Sequence, residues 1–97
     1  MEITGKVLEF MKKKKFQGII LSKVEVKFGW VGCQEEIQGE FLKEEELKKY
    51  SGVENLIVVE NKGIKVFVPL NIKSVDKLVI DSQFSFFGVM KLKIFIK

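Results

Sequence analysis

Two apolar runs flank the short segment Asn61-Lys62-Gly63 near the middle of the sequence. The runs are Leu56 to Glu60 and Ile64 to Val68. Because asparagine and glycine tolerate the positive φ angles of a tight turn, this arrangement predicts a β-hairpin. The hairpin restricts the chain to folds that contain antiparallel strands.

Period-two alternation of apolar and charged side chains predicts strands elsewhere in the chain. From residue 19 onwards, Val24, Val26 and Phe28 alternate with charged side chains, so we expect these three on a buried face with a wet face opposite. Pro69 closes the strand of the hairpin. Further strands are predicted at residues 37–42, 78–80 and 89–96.

Helical signals lie at two places. Thr4 is suited to cap a first helix, which ends before Gly18 and has its apolar positions on one side, at Val7, Leu8, Phe10 and Met11. Residues 12–15 are all lysine and fall in its last turn, where cations interact favourably with the helix dipole; we interpret them as a solvated turn rather than an anion site. Residues 44–50 form either a second helix or an exposed connection.

The fold class follows from these elements and from the size of the chain. Ninety-seven residues with 46% apolar side chains suit one core, and no linker or repeat suggests a boundary. We therefore predict a single α+β domain over residues 1–97, with an N-terminal helix packed on a mainly antiparallel or mixed β-sheet.

Composition also bears on location and partners. No apolar run approaches the ~18 residues needed to cross a bilayer, and residues 1–4 lack the layout of a signal peptide, so we expect a cytoplasmic protein without membrane contact. The net charge is +4, but every basic residue is a lysine and none gather on one predicted face. Nucleic-acid recognition relies on arginine and on clustered basic residues, so no nucleic-acid partner is predicted.

Cys33 is the only cysteine, it is predicted to lie in a glycine-flanked loop that runs from Gly29 to Gln34, and the sequence contains no histidine. Without imidazole, the usual general base and the commonest metal ligand are both missing. No Walker loop or dinucleotide fingerprint is present either. These observations predict a protein that is not an enzyme.

Three interpretations of Cys33 remain open. It is an ordinary thiol packed at the loop base by Trp30 and Val31, a metal ligand, or a reactive thiol. The neighbouring carboxylates of Glu35 and Glu36 raise the thiol pKa and oppose activation, although both could supply oxygen ligands to a divalent metal. Trp30 itself is a lid over the core or a platform for a ligand.

The order of these features resembles the HesB-like superfamily over nearly the whole chain. The shared elements are a helix, a strand, a glycine-aromatic loop with Cys33, the hairpin at residues 58–68, and Leu78-Val79-Ile80-Asp81 followed by aromatic residues. In small HesB-like proteins, some of them selenoproteins, the loop carries a Cys-Cys or Cys-selenocysteine pair. The resemblance implies a HesB-like fold, and Gln34 stands at the second position of that pair.

In the A-type iron-sulfur carriers of this superfamily, one loop cysteine and a C-terminal Cys-x-Cys pair bind iron or a cluster, usually in an oligomer. Only Cys33 matches this pattern, because the C-terminal pair falls in Phe84-Ser85-Phe86-Phe87-Gly88, which has no thiol. The resemblance therefore supports a binding or accessory module more than a carrier.

The sequence thus yields three functional hypotheses. The first is a non-enzymatic HesB-like binding or accessory module; the second is a carrier of iron, an iron-sulfur cluster or another metal that uses Cys33 in an oligomer; the third is a monothiol redox protein. Candidate accessory residues around Cys33 are Trp30, Gly32, Gln34, Glu35 and Glu36. A candidate partner surface consists of Phe84, Phe86 and Phe87. A homodimer is predicted through residues 89–96, a potential sheet edge.

Overall fold

Strands dominate the fold. The computed structural model describes residues 1–27, 29–30, 32–86 and 88–97, and within them the elements form two mixed sheets with two α-helices, which confirms the α+β class. No helix in this part of the chain is long and apolar enough to span a membrane. The elements are β1 (Glu2–Ile3), α1 (Gly5–Lys14), β2 (Gly18–Lys27), β3 (Cys33–Leu42), α2 (Glu44–Tyr50), β4 (Leu56–Asn61), β5 (Ile64–Pro69), a 3-10 turn (Val75–Lys77), β6 (Leu78–Phe86) and β7 (Val89–Ile96).

The predicted hairpin is present, formed by β4 and β5 in antiparallel register. Lys62 and Gly63 are its two central turn residues, with φ angles of 50° and 80°. Asn61 was expected to adopt the positive φ, but it is instead the last residue of β4 and pairs with Ile64. Its side-chain amide donates a hydrogen bond of 2.9 Å to the carbonyl oxygen of Met1, which ties the hairpin to the start of the chain.

The two sheets have the strand orders β1-β6-β7 and β3-β2-β5-β4. They pack tightly against each other at Gly39 of β3, where an added Cβ atom would lie 2.7 Å from Cδ1 of Ile94 and 3.1 Å from Cδ1 of Leu92, both on β7. Val7 and Met11 of α1 are fully buried in the same core. The other members of this core are Ile3, Ile19, Leu21, Val66, Val68, Ile72, Leu78 and Ile80.

Helix α2 covers the opposite face of the four-stranded sheet. Leu47 lies against Gly18 so closely that a Cβ atom at this glycine would overlap the leucine. Phe67 of β5 is 1% exposed, and its ring centroid lies 5.9 Å from that of Tyr50. Of the two alternatives for residues 44–50, the helix is therefore confirmed.

Thr4 occupies the N-cap position of α1, but its side chain makes no capping hydrogen bond. Its hydroxyl instead donates a hydrogen bond of 2.9 Å to Oδ1 of Asp81, an oxygen that also accepts the backbone N–H of Ser82 at 2.7 Å. The Ser82 N–H and then the Thr4 hydroxyl hold the pKa of Asp81 below its usual range. Thr4 therefore does not cap α1 with its side chain but connects the start of this helix to β6.

Candidate functional site

The candidate residues around Cys33 lie on a two-stranded extension of the larger sheet. β2 pairs with β5 only from Gly18 to Ile20, whereas it pairs with β3 along its whole length. Beyond Leu21, the two strands therefore continue, and no third strand of the described residues pairs with β2 there. We call residues 23–37 the arm.

The side chains of β2 change character where the arm begins. Ile19 and Leu21 are buried in the core, and the next residues on the same face are charged, because the core no longer faces them. Val24 and Val26 lie on the opposite face and are half-buried, whereas Glu25 and Lys27 are exposed, so the predicted face is the more covered one but does not belong to the core. Phe28, assigned to that face as well, lies outside the described residues.

Cys33 is the first residue of β3 rather than part of a loop, and it stands opposite Lys27 in the antiparallel register. Its side chain is exposed, so the expectation that Trp30 and Val31 pack it at a loop base was wrong for Trp30, while Val31 lies outside the described residues. Hydrogen bonding to the Glu25 carboxylate, with a smaller contribution from desolvation, raises the pKa of the Cys33 thiol.

The two carboxylates expected beside Cys33 point to different partners. Glu35 forms an ion pair of 2.9 Å with the ammonium group of Lys23. Glu36 alternates to the other face of β3, where it accepts a hydrogen bond of 3.4 Å from Gln38. Glu25, which sequence reasoning missed as the partner of Cys33, is only two residues from Lys27. The signal was the short connection between the two strands: it pairs the end of β2 with the start of β3 and so brings Glu25 to the same face as Cys33.

The metal-ligating residues do not converge. Among residues 1–27, 29–30, 32–86 and 88–97, no three cysteine, aspartate or glutamate side chains form a group that could hold a metal ion. One exposed thiol beside a carboxylate is a poor match for an iron-sulfur cluster, which takes about four thiolate ligands. The donor set of a single chain therefore does not fit a cluster.

Trp30 is 96% exposed at the end of the arm, so it is not a lid over the core. The glycines on either side have positive φ angles, 56° at Gly29 and 126° at Gly32, and no atom lies within 4 Å of a Cβ position at either. Their role here is to allow the backbone to turn, because other residues rarely adopt these angles. The turn presents a large apolar side chain to the solvent.

The other candidate surface lies on the smaller sheet. β6 includes the backbone of Phe84 and Phe86, and its register against β7 shifts between Ser82 and Phe84, so Gln83 has no cross-strand partner. Phe87 lies outside the described residues. β7 lies at the edge of this sheet, as predicted, and its Leu92 and Ile94 side chains pack toward β3.

Because its pKa is raised, we expect the Cys33 thiol to react slowly with alkylating reagents at neutral pH. Alkylation by iodoacetamide should show a pH midpoint above ~8.5, the ordinary thiol value, because the thiolate is disfavoured beside a carboxylate. Replacing Glu25 by glutamine removes the negative charge and should lower this midpoint. Glu36→Gln is the matched control and should leave it unchanged, since Glu36 lies on the other face. A midpoint below 8.5 in the wild type would contradict the prediction.

Comparison of the sequence with known proteins identified no relative of this chain. No protein-family model matches the chain, and no curated protein matches it in sequence. The arm and its side chains are therefore the features of the molecule that bear on its function.

Proposed function

We propose that the protein is a non-enzymatic binding or accessory module, and that the end of the arm is its contact surface. The observation that carries this proposal is the nearly complete exposure of Trp30. Burying a tryptophan side chain of 150–250 Å² would contribute about 4–6 kcal/mol before the costs of association are subtracted. Tryptophan is also among the residues most often found at the energetic centres of protein interfaces.

The position of Trp30 supports a role in binding. Folding gains little from an indole that is almost fully exposed, and soluble proteins carry few exposed tryptophans beyond those that function needs. The two flanking glycines and the long strand pair hold it away from the body of the protein. A partner protein with an apolar pocket could therefore bind the Trp30 side chain without first exposing it.

We extend the proposal to a HesB-like fold, with α1 as the N-terminal helix packed on the sheet, in a cytoplasmic protein. It is supported by the glycine-aromatic segment between two long strands and by the hairpin that follows an acidic helix. The burial of Val7 and Met11 favours the assignment of the helix. The absence of a Cys-x-Cys pair in the sequence favours an accessory module over a carrier.

Anaerobic reconstitution with iron and sulfide tests the module against the carrier. We expect no stable visible chromophore on the wild-type protein, because one thiol per chain supplies at most two of about four cluster ligands in a dimer. Glutathione or a second protein would have to supply the others, so the reconstitution is repeated with glutathione present. A stable chromophore that disappears in Cys33→Ser would reject the module in favour of the carrier.

The monothiol redox hypothesis needs an accessible sulfur with a depressed pKa. Cys33 has the accessibility, but its pKa is raised by the contact with Glu25. The arrangement therefore favours the module, and the alkylation midpoint described above separates the two.

A further inference from the structure

A second surface on this molecule matches the chemistry of the arm. It is a cleft of about 760 Å³ between α1 and the β6–β7 hairpin, a size that accommodates a large side chain with its flanking residues. Its lining combines basic, neutral polar and apolar groups. The lining residues are Lys6, Glu9, Phe10, Lys12, Lys13, Ser82, Gln83 and Met90.

The cationic rim of this cleft is Lys12 and Lys13, at the carboxyl end of α1. In the described part of the chain, the single ion pair within 4 Å is that of Lys23 with Glu35, so neither rim lysine has a carboxylate partner at that distance. Lys6 differs, because it lies near enough to Asp81 to help lower the pKa of that carboxyl. The ammonium groups of Lys12 and Lys13 therefore line the cleft, and Glu9 is the one carboxylate among its described lining residues.

The floor and the opposite wall complete a site for an aromatic, acidic segment. Phe10 and Met90 provide apolar surface, and Ser82 and Gln83 provide hydrogen-bond donors. Gln83 stands at the register shift of β6, an irregularity that commonly redirects a side chain. An indole in the cleft could pack against the thioether of Met90 and the ring of Phe10. It could also form cation–π contacts with the lysines.

The arm carries the complementary groups. Trp30 lies at its end and is exposed. On one face of the arm, the carboxylates of Glu25 and Glu35 are balanced by the ammonium groups of Lys23 and Lys27, whereas the other face carries the exposed carboxylate of Glu36 among Val24, Val26 and Gln34. An apolar anchor beside the Glu36 face thus matches an apolar floor bordered by basic side chains.

The arm of a molecule does not reach its own cleft. The ring of Phe10 in the cleft floor lies 5.2 Å, between centroids, from that of Phe41, which pairs with Ile19 at the base of β2. From Ile19 to Lys27, the strand extends about 26 Å away from that base, at ~3.3 Å per residue. An arm that fills the cleft therefore comes from another molecule.

We propose that the arm of one copy of this chain docks in the α1–β6–β7 cleft of a second copy, with Trp30 over Phe10 and Met90 and the carboxylate of Glu36 against Lys12 and Lys13. Since each copy has both surfaces, reciprocal docking around a twofold axis forms a closed dimer. The inference rests on the proposed role of the arm as a contact surface. It places the dimer contact at the arm and not at the free edge of β7.

Light scattering at micromolar concentration tests this arrangement. We expect the wild type at twice the chain mass of 11.2 kDa, and both Trp30→Ser and the double variant Lys12→Glu/Lys13→Glu at 11.2 kDa. Lys48→Glu/Lys49→Glu, the same charge change at two exposed positions of α2, is the matched control and should stay dimeric. Raising the salt concentration should weaken the dimer, because screening reduces the attraction between the lysines and the carboxylates.

Fluorescence gives a second readout, because Trp30 is the only tryptophan. On dimer formation its emission should shift to shorter wavelength and its quenching by acrylamide should fall, and neither change should occur in Lys12→Glu/Lys13→Glu. Mixing that variant with Trp30→Ser should give a mixed dimer, since one intact arm then meets one intact cleft.

Two outcomes would overturn the inference. One is a wild-type mass of 11.2 kDa at every concentration; the other is a dimer that persists in both Trp30→Ser and Lys12→Glu/Lys13→Glu. Circular dichroism of each variant must match the wild type for a loss of dimer to count. A monomeric wild type leaves the contact role of the arm intact, whereas a Cys33-dependent chromophore rejects the module itself, so the two failures are distinguishable.

Discussion

Replacing Phe67 by alanine should lower the free energy of unfolding by about 3–5 kcal/mol. Phe67 is 1% exposed and is the largest of the fully buried side chains in the described residues. It joins the sheet to α2, because its ring lies 5.9 Å, between centroids, from that of Tyr50. Truncation removes this contact and leaves a cavity that a sheet and a short helix cannot readily close.

Urea denaturation followed by circular dichroism measures this change. Phe95→Ala makes the same chemical change on the outward face of β7, where the side chain is 39% exposed, and should lower stability by about 1 kcal/mol or less. If the two variants unfolded at the same urea concentration, the position of Phe67 beneath α2 would be wrong.

Gly18→Ala should destabilise the protein by about 1–3 kcal/mol, although the substitution adds only one methyl group. A Cβ atom at this position would overlap the Leu47 side chain and would lie 2.9 Å from the carbonyl oxygen of Lys65. Leu47 has some freedom to move, but the carbonyl belongs to β5, which pairs with β2 at this residue. Relief therefore requires the helix or a strand to shift.

Gly5→Ala is the control for the Gly18 substitution. Gly5 is the first residue of α1, and no atom lies within 4 Å of its Cβ position. Alanine favours the helix more than glycine does, so this variant should be as stable as the wild type or slightly more stable. A loss of stability at Gly5 equal to that at Gly18 would show that the close packing of α2 is not the cause.

Local patterns in the sequence were sufficient for the hairpin and the last strand. Pro69 ends β5, and β7 spans Val89–Ile96 as predicted, since turn chemistry and strand alternation depend on residues that are close in sequence. The burial of β2 was predicted only in part, for the same reason. Val24 and Val26 alternate as a buried strand would, but burial depends on what lies opposite, and the core ends near Leu21.

The sequence by itself determined the α+β class, the hairpin and the presence of one thiol without histidine. Only the tertiary structure decided the surroundings of that thiol: the register of β2 and β3 brings Glu25 to Cys33, turns Glu36 to the other face and leaves Trp30 in solvent. These contacts join separate strands, and their geometry depends on where one strand pairs with another. Spacing along a single strand fixes alternation, but it does not fix register or the end of the core.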